Sequence, residues 1–238
     1  EGLPSGLGGT IGAPIRNLVK FARSAGQSFE DRYLGFSTYF TGEMKNRVLN
    51  SEVACEISHF DPYFQHREYL RKCRSAEPLN RILYLDFKTF LPALNLDTTD
   101  RTSMAANLEV RAPYLNRKLL DLAEKIPPIY KIKGLKRKYI LKKALESYLP
   151  KDLVWRKKAG FSAPVRSWLR GGLKPMVEEL LGEEAIKKRG IYSTQGVKEI
   201  LEDYKHGRRD YALHIYLLLN FEIFAREFLD GDYRSRLS

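Results

Sequence analysis

The sequence predicts a mainly α-helical protein, and three observations carry that expectation. Apolar residues recur at the helical period in almost every segment, Pro and Gly fall between those segments, and no run shows the period-two alternation of a half-buried strand. With 238 residues, 43% hydrophobic and 29% charged, the chain is long enough for one substantial core.

The elements follow in chain order. The glycine-rich start, residues 1–12, reads as a flexible segment, and residues 13–238 as a single helical domain. Pro14 suits the first turn of a helix, in which Ile15, Leu18, Val19 and Ala22 recur at i, i+3, i+4 and i+7 before Gly26 stops the run. Phe29, Tyr33, Phe36 and Phe40 continue as an aromatic helix. Leu79, Ile82, Leu83, Phe87 and Phe90 form the clearest stripe, with Asp86 on the same face and Pro92 expected to end it. Asn116 is placed to cap the next helix, with Leu115 and Leu120 as a hydrophobic staple and Pro127-Pro128 beyond its end. A further helix begins near Lys136, with Ile140, Leu141, Ala144, Leu145 and Tyr148 as its apolar face. Ser193 caps, and Gly207 closes, a helix marked by Val197, Ile200, Leu201 and Tyr204. The last helix, about 210–229, is apolar around most of its circumference and should be central.

Composition narrows the function classes. The longest mostly apolar run, Tyr211 to Leu219, contains His214 and is far shorter than the roughly 18–20 residues of a membrane span, so no membrane partner is expected. No secretory signal is visible, and a cytoplasmic location is the default. Cys55 and Cys73 do not make a disulfide framework and fit a reducing compartment. The net charge of +12 is concentrated, because residues 131–158 hold eleven Lys or Arg against two acids. Such a patch suits a polyanion, either a phosphate-rich small ligand or a nucleic-acid backbone.

Several residue sets could carry chemistry. Residues 5–10, Ser-Gly-Leu-Gly-Gly-Thr, lack the Lys-Ser/Thr of a phosphate-binding loop and any strand before them, which favours a flexible end. Cys55, His59, His66 and Cys73 have three, six and six intervening residues, which matches no common zinc pattern, and no Gly-x-Ser-x-Gly elbow appears. Lys138 is the better candidate: it edges an apolar helix face, where an ammonium beside backbone N–H groups suits a phosphate, and Gly134 before it permits close backbone approach. Arg101, Glu109 and Arg111 surround Met104, Ala105 and Leu108; with Asp86 they read either as a buried ion-pair network or as side chains aimed into a substrate cleft. Arg156-Lys157-Lys158-Ala-Gly-Phe161, with Pro164 and Trp168, mixes cations and aromatics. Phe161 and Trp168 fit core packing better than base stacking, and nucleic acid is an unfavoured partner.

Taken in order, Leu85-Asp-Phe-Lys-Thr-Phe-Leu-Pro92, Asp100-Arg-x-Ser-Met-Ala105, Glu109-Val-Arg-x-Pro-Tyr-Leu115, Gly134-x-x-x-Lys-Tyr-Ile-Leu141, Leu149-Pro150, Lys158-x-Gly-Phe161, Pro164 and Trp168-Leu169 resemble the motifs of the glutamine-hydrolysing asparagine synthetase family. The resemblance implies that this is the helical C-terminal portion of an α/β ATP-pyrophosphatase-type domain, adenine nucleotide alpha hydrolase-like, whose parallel sheet lies mostly upstream. It implies ATP with Mg²⁺, a carboxylate substrate such as aspartate, activation as an acyl adenylate, and displacement of AMP by ammonia. It assigns Lys138 to phosphate contact and charge stabilisation, with Gly134 beside it, and gives Asp100, Arg101, Ser103, Glu109 and Arg111 a role in shaping the site; no metal ligand is assigned within the chain. The family's Ser-Gly-Gly-x-Asp-Ser pyrophosphate loop, its Gly-Asp-Gly-x-Asp-Glu motif and its glutaminase cysteine are absent from these 238 residues. The chain starts at Glu1 rather than Met, so the implied partners are upstream synthetase and glutaminase domains, on the same polypeptide or on another subunit. A basic nucleic-acid-binding module and a non-catalytic remnant of the synthetase are the alternatives.

Overall fold

The computed structural model describes residues 26–36, 38–157 and 163–231. In chain order the helices are α1 (Phe29–Phe36), α2 (Gly42–Val48), α3 (Ser51–Glu56), α4 (Phe64–Lys72) and α5 (Pro78–Lys88), followed by a π-helical turn (Leu91–Leu96) and α6 (Asp97–Ala105). A 3-10 turn (Pro113–Leu115), α7 (Arg117–Lys125) and α8 (Pro128–Lys131) lead to a hairpin of β1 (Ile132–Lys133) and β2 (Lys136–Arg137). Then come α9 (Tyr139–Leu145), α10 (Lys151–Trp155), α11 (Val165–Arg170), α12 (Lys174–Leu180), α13 (Glu183–Arg189), α14 (Thr194–Lys205) and α15 (Ala212–Phe224), which runs into a second π-helical turn (Ala225–Leu229). The mainly helical expectation holds. The expected helix over residues 14–26 and the glycine-rich start lie outside the described residues, as do Lys158, Gly160 and Phe161.

The described residues form two compact units, one from residues 26–60 with 163–231 and the other from residues 61–157. In the first, α15 is the central element, as its all-round apolar sequence predicts. Ala212, Ile215, Leu218 and Leu219 are buried against Val165 and Leu169 of α11, Leu180 and Leu181 at the end of α12, Ile186 of α13, and Val197 and Ile200 of α14. Three local signals set α14: the Ser193 hydroxyl accepts from Gly196 N–H at 3.1 Å, Val197 and Ile200 face inward, and Gly207 beyond its end takes φ +67°.

The segment 47–50 is stitched to the chain before α14. Asn50 N–H donates to Ile191 O at 3.0 Å, and Ser193 N–H to Val48 O at 2.8 Å. Arg47 forks onto Glu199 at 2.7 and 3.0 Å. Beneath α15, the 4%-exposed Glu222 accepts from Arg189 Nε at 2.8 Å and from Arg226 Nε at 3.0 Å, and Asp230 takes the other side of the Arg189 guanidinium. Burial alone would raise the Glu222 pKa; the bonds from the two arginines outweigh it and hold the carboxyl below its ordinary range.

The second unit has a thinner core, with Leu70, Ile82, Leu85 and Val154 as its buried apolar side chains. On α5 the inward face is Ile82 and Leu85, while Leu83, Phe87 and Phe90 of the expected stripe are exposed. Pro92 does not end α5. The helix stops at Lys88, with Thr89 Oγ1 on Leu85 O at 2.8 Å, and Pro92 opens the following π-helical turn, where its missing N–H costs nothing. Asn116 caps α7 as expected, its side-chain oxygen accepting from Lys118 N–H at 3.0 Å.

Candidate functional site

The basic segment of the second unit is built around the hairpin, an element the periodicity does not predict. The two strands pair antiparallel, Ile132 with Arg137 and Lys133 with Lys136, leaving a two-residue loop of Gly134 and Leu135. Gly134 has φ +57° at the first central position, where a side chain is disfavoured. Strands this short carry no alternation to detect, and the glycine was the only available signal.

The expected helix from Lys136 therefore begins later, at Tyr139, because residues 136 and 137 are committed to the ladder. Lys138 is its N-cap residue, held in the left-handed region at φ 56°, ψ 36°. It does not edge a buried stripe: α9 has no fully buried residue, and Lys138 itself is exposed. A non-glycine residue in this region costs about 1–2 kcal/mol, and outliers of this kind are retained where the surroundings impose them.

Most neighbouring cations are already engaged. Lys133 Nζ lies 5.0 Å from the Tyr139 ring centroid, and Lys136 and Lys142 each 5.1 Å from that of Trp155. Trp155 Nε1 donates to Glu146 Oε1 at 2.8 Å, and Lys143 Nζ reaches Glu146 Oε2 at 2.8 Å. The hydrogen bonds from Lys143 and Trp155 hold the Glu146 carboxyl below its usual range. Lys131 donates to Asn80 Oδ1 at 2.7 Å, tying the base of the hairpin to α5, and partial burial lowers its pKa. Among the described residues Arg137 and Lys138 have no acidic partner. The ammonium of Lys138 is thus uncommitted and exposed on a backbone in a fixed, costly conformation. Two lysines lie against the Trp155 ring, where they compete with any base for its faces.

The acidic and guanidinium residues expected as a buried network are not one. Arg101 pairs with Asp97 on the same helix at 2.9 Å and its side chain is 78% exposed; Arg111 pairs with the nearby Glu109, also in solvent. Each found a partner close in sequence, so neither needed burial to be neutralised. Ser103 Oγ donates to Asp100 O at 3.1 Å, and the Asp100 side chain is exposed. Trp168, expected in the core, is 41% exposed.

Asn107, which the sequence reading passed over, shapes this region. With φ 56° it takes the residue after the α6 C-cap through the left-handed region. Leu108 N–H then bonds Ser103 O at 2.9 Å and Asn107 N–H bonds Met104 O at 2.9 Å. This is a Schellman closure with Asn in the position usually held by Gly. It sends 109–115 away from the helix axis. Asn, the residue after Gly that best tolerates the left-handed region, was the one available signal.

Among the described residues no three His, Cys, Asp or Glu side chains gather into a group that could hold a metal ion, and Cys55 and Cys73 are free thiols. Among them also, no helix is long and apolar enough to cross a membrane.

Residues 9–226 match the asparagine synthase family. The chain belongs to that family. It is 30% identical over 198 residues to asparagine synthetase [glutamine-hydrolyzing] 1 of Bacillus subtilis, covering 82% of this chain and 30% of the relative. A putative asparagine synthetase [glutamine-hydrolyzing] of Mycobacterium tuberculosis is 27% identical over 208 residues, 85% of this chain and 30% of its own. A probable asparagine synthetase of Schizosaccharomyces pombe is 38% identical over 148 residues, 58% and 25% of the two chains. The chain therefore spans about a third or less of the curated relatives it matches. No solved structure matches it.

Proposed function

We propose that this chain supplies the helical, lysine-bearing part of an ATP-dependent, AMP-forming amide synthetase, acting on aspartate or a related carboxylate with glutamine as the nitrogen source. The observation that carries the reading is Lys138, an unpaired cation fixed in the left-handed region at the end of a basic hairpin, in a chain of the asparagine synthase family. A carboxylate oxygen bonds to the α-phosphorus of ATP and pyrophosphate leaves; ammonia then bonds to the acyl carbon, loses a proton, and AMP departs. Negative charge grows on the phosphate oxygens in the first step. Lys138, its backbone set at the hairpin end and its ammonium free of other partners, would meet that charge as a cation.

The site is shared with a part of the enzyme outside these residues. Unpaired apolar side chains run from Leu83 to Tyr130, including Phe90, Leu94, Leu108, Tyr114 and Ile129, and upstream synthetase structure is their proposed cover. Among the described residues no three His, Cys, Asp or Glu side chains gather around one point; Mg²⁺, which is held by one or two carboxylates together with substrate phosphates, belongs to the complete enzyme, and no step here runs through it. In this reading Asp100, Arg101, Ser103, Glu109, Arg111 and Gly134 shape the substrate cleft from α6, the segment after Asn107 and the hairpin turn. The exposed, reduced Cys55 fits a cytoplasmic enzyme.

The test uses the complete synthetase carrying Lys138→Ala. ATP–pyrophosphate exchange should fall by about 10²–10³, the scale for removing one transition-state charge contact, while circular dichroism stays unchanged. Exchange at the parental rate would remove Lys138 from the chemistry.

A further inference from the structure

The first unit carries a groove whose lining does not include Lys138 or any other residue assigned above to amide synthesis. It encloses about 580 Å³ and is floored by Leu169, Val177, Leu181, Leu201 and Ile215, contributed by α11, α12 and its C-cap, α14 and α15. That volume is in the range of sites that bury small organic molecules. Its polar lining is cationic on balance. Lys174 is 3.9 Å from the Glu178 carboxylate, and Glu202 is 3.2 Å from His206 Nδ1, but Arg170 and Lys205 have no carboxylate partner among the described residues.

A purely apolar occupant would make no use of the two exposed cations at the rim, whereas a fully ionic one would leave the leucines and Val177 uncovered. A molecule with an apolar body and one anionic end satisfies both. We propose that this groove binds a small amphipathic carboxylate, an unbranched acyl chain laid on the apolar floor with its carboxylate against Arg170 and Lys205. The site is independent of Lys138 and of the amide-forming reading.

Calorimetric titration of the full chain with hexanoate, octanoate and decanoate, all below their micellar concentrations, tests it. Octanamide serves as the uncharged twin. Affinity should rise about fourfold for each added methylene, and octanamide should bind about fivefold more weakly than octanoate. The double variant Arg170→Gln/Lys205→Gln, both positions being exposed, should keep its helical circular dichroism and bind octanoate no better than octanamide. Lys187→Gln, which removes a cation that does not line the groove, should change nothing. No heat of binding, equal affinity for octanoate and octanamide in the parent chain, or undiminished octanoate binding in the double variant would each overturn the proposal; the last outcome would show that Arg170 and Lys205 do not hold the carboxylate.

Discussion

Replacing Lys138 with Gly should stabilise the protein while removing the proposed function. Lys138 sits at φ 56°, ψ 36°, close to the centre of the left-handed region, which costs an L-residue about 1–2 kcal/mol. Glycine escapes that cost but loses more chain entropy on folding, about 0.5–1 kcal/mol. The side chain is exposed and has no partner among the described residues, so no packing or ion pair is lost with it. The net expectation is a gain of about 0.5–1 kcal/mol. With a urea slope of about 2 kcal/mol/M, that is a rise of about 0.25–0.5 M in the midpoint. The chain has two tryptophans, so a Trp168→Phe background leaves Trp155, which packs against Lys136 of the hairpin and Lys142 of α9, to report the unit that contains Lys138. In the complete synthetase, Lys138→Gly should lose pyrophosphate exchange as severely as Lys138→Ala, which retains the backbone cost and should leave stability unchanged. A midpoint lowered by Lys138→Gly would refute the left-handed conformation or reveal a stabilising contact of the ammonium. A raised midpoint with intact exchange would leave the strain without a catalytic purpose.

Three further outcomes follow from the first unit. A Cβ on Gly196 would lie 2.9 Å from the Arg47 carbonyl carbon and 3.2 Å from Val48 Cα, backbone that cannot turn aside; Gly196→Ala should therefore force α2 and α14 apart and cost about 3 kcal/mol or more, read by denaturant titration. Glu222→Ala leaves Arg189, whose side chain is 13% exposed, with Asp230 as its remaining carboxylate; it should cost about 3 kcal/mol, and a loss under 1 kcal/mol would show that Asp230 alone suffices. His214 is packed among Tyr39, Phe40 and Tyr211, with Nε2 donating to Tyr39 O at 3.0 Å and Nδ1 buried without a partner. Burial lowers its pKa against the smaller raising effects of Tyr39 O and Asp210, so the folded state binds the proton less readily than the unfolded chain. Its contribution is fully present above about pH 6.5, the unfolded value, and is lost as pH falls through the lower folded value. The melting temperature should accordingly drop between pH 7 and pH 5, and His214→Phe should flatten that slope.

What the sequence made legible and what it hid divide along the range of the interactions. α14 was readable because its cap, apolar face and stop all lie within fifteen residues, and α15 because a helix apolar on all sides has nowhere to be except inside. The family motifs named Lys138 but not its conformation, since a lysine carries no local preference for the left-handed region; the strands on one side and the helix on the other impose it. The joining of 47–50 to 190–199 left no trace in either segment, because such pairing is a property of two distant stretches at once. The stripe on α5 shows a different limit. Periodicity identifies Leu83, Phe87 and Phe90 as apolar, but burial needs a second surface, and among the described residues that surface reaches Ile82 and Leu85 on this helix. An apolar face that stays open among the described residues is where the proposed upstream structure should pack. Joining that upstream part to this chain should protect the amides of α5 and α6 from hydrogen exchange and leave those of α14 and α15, already at full depth, unchanged.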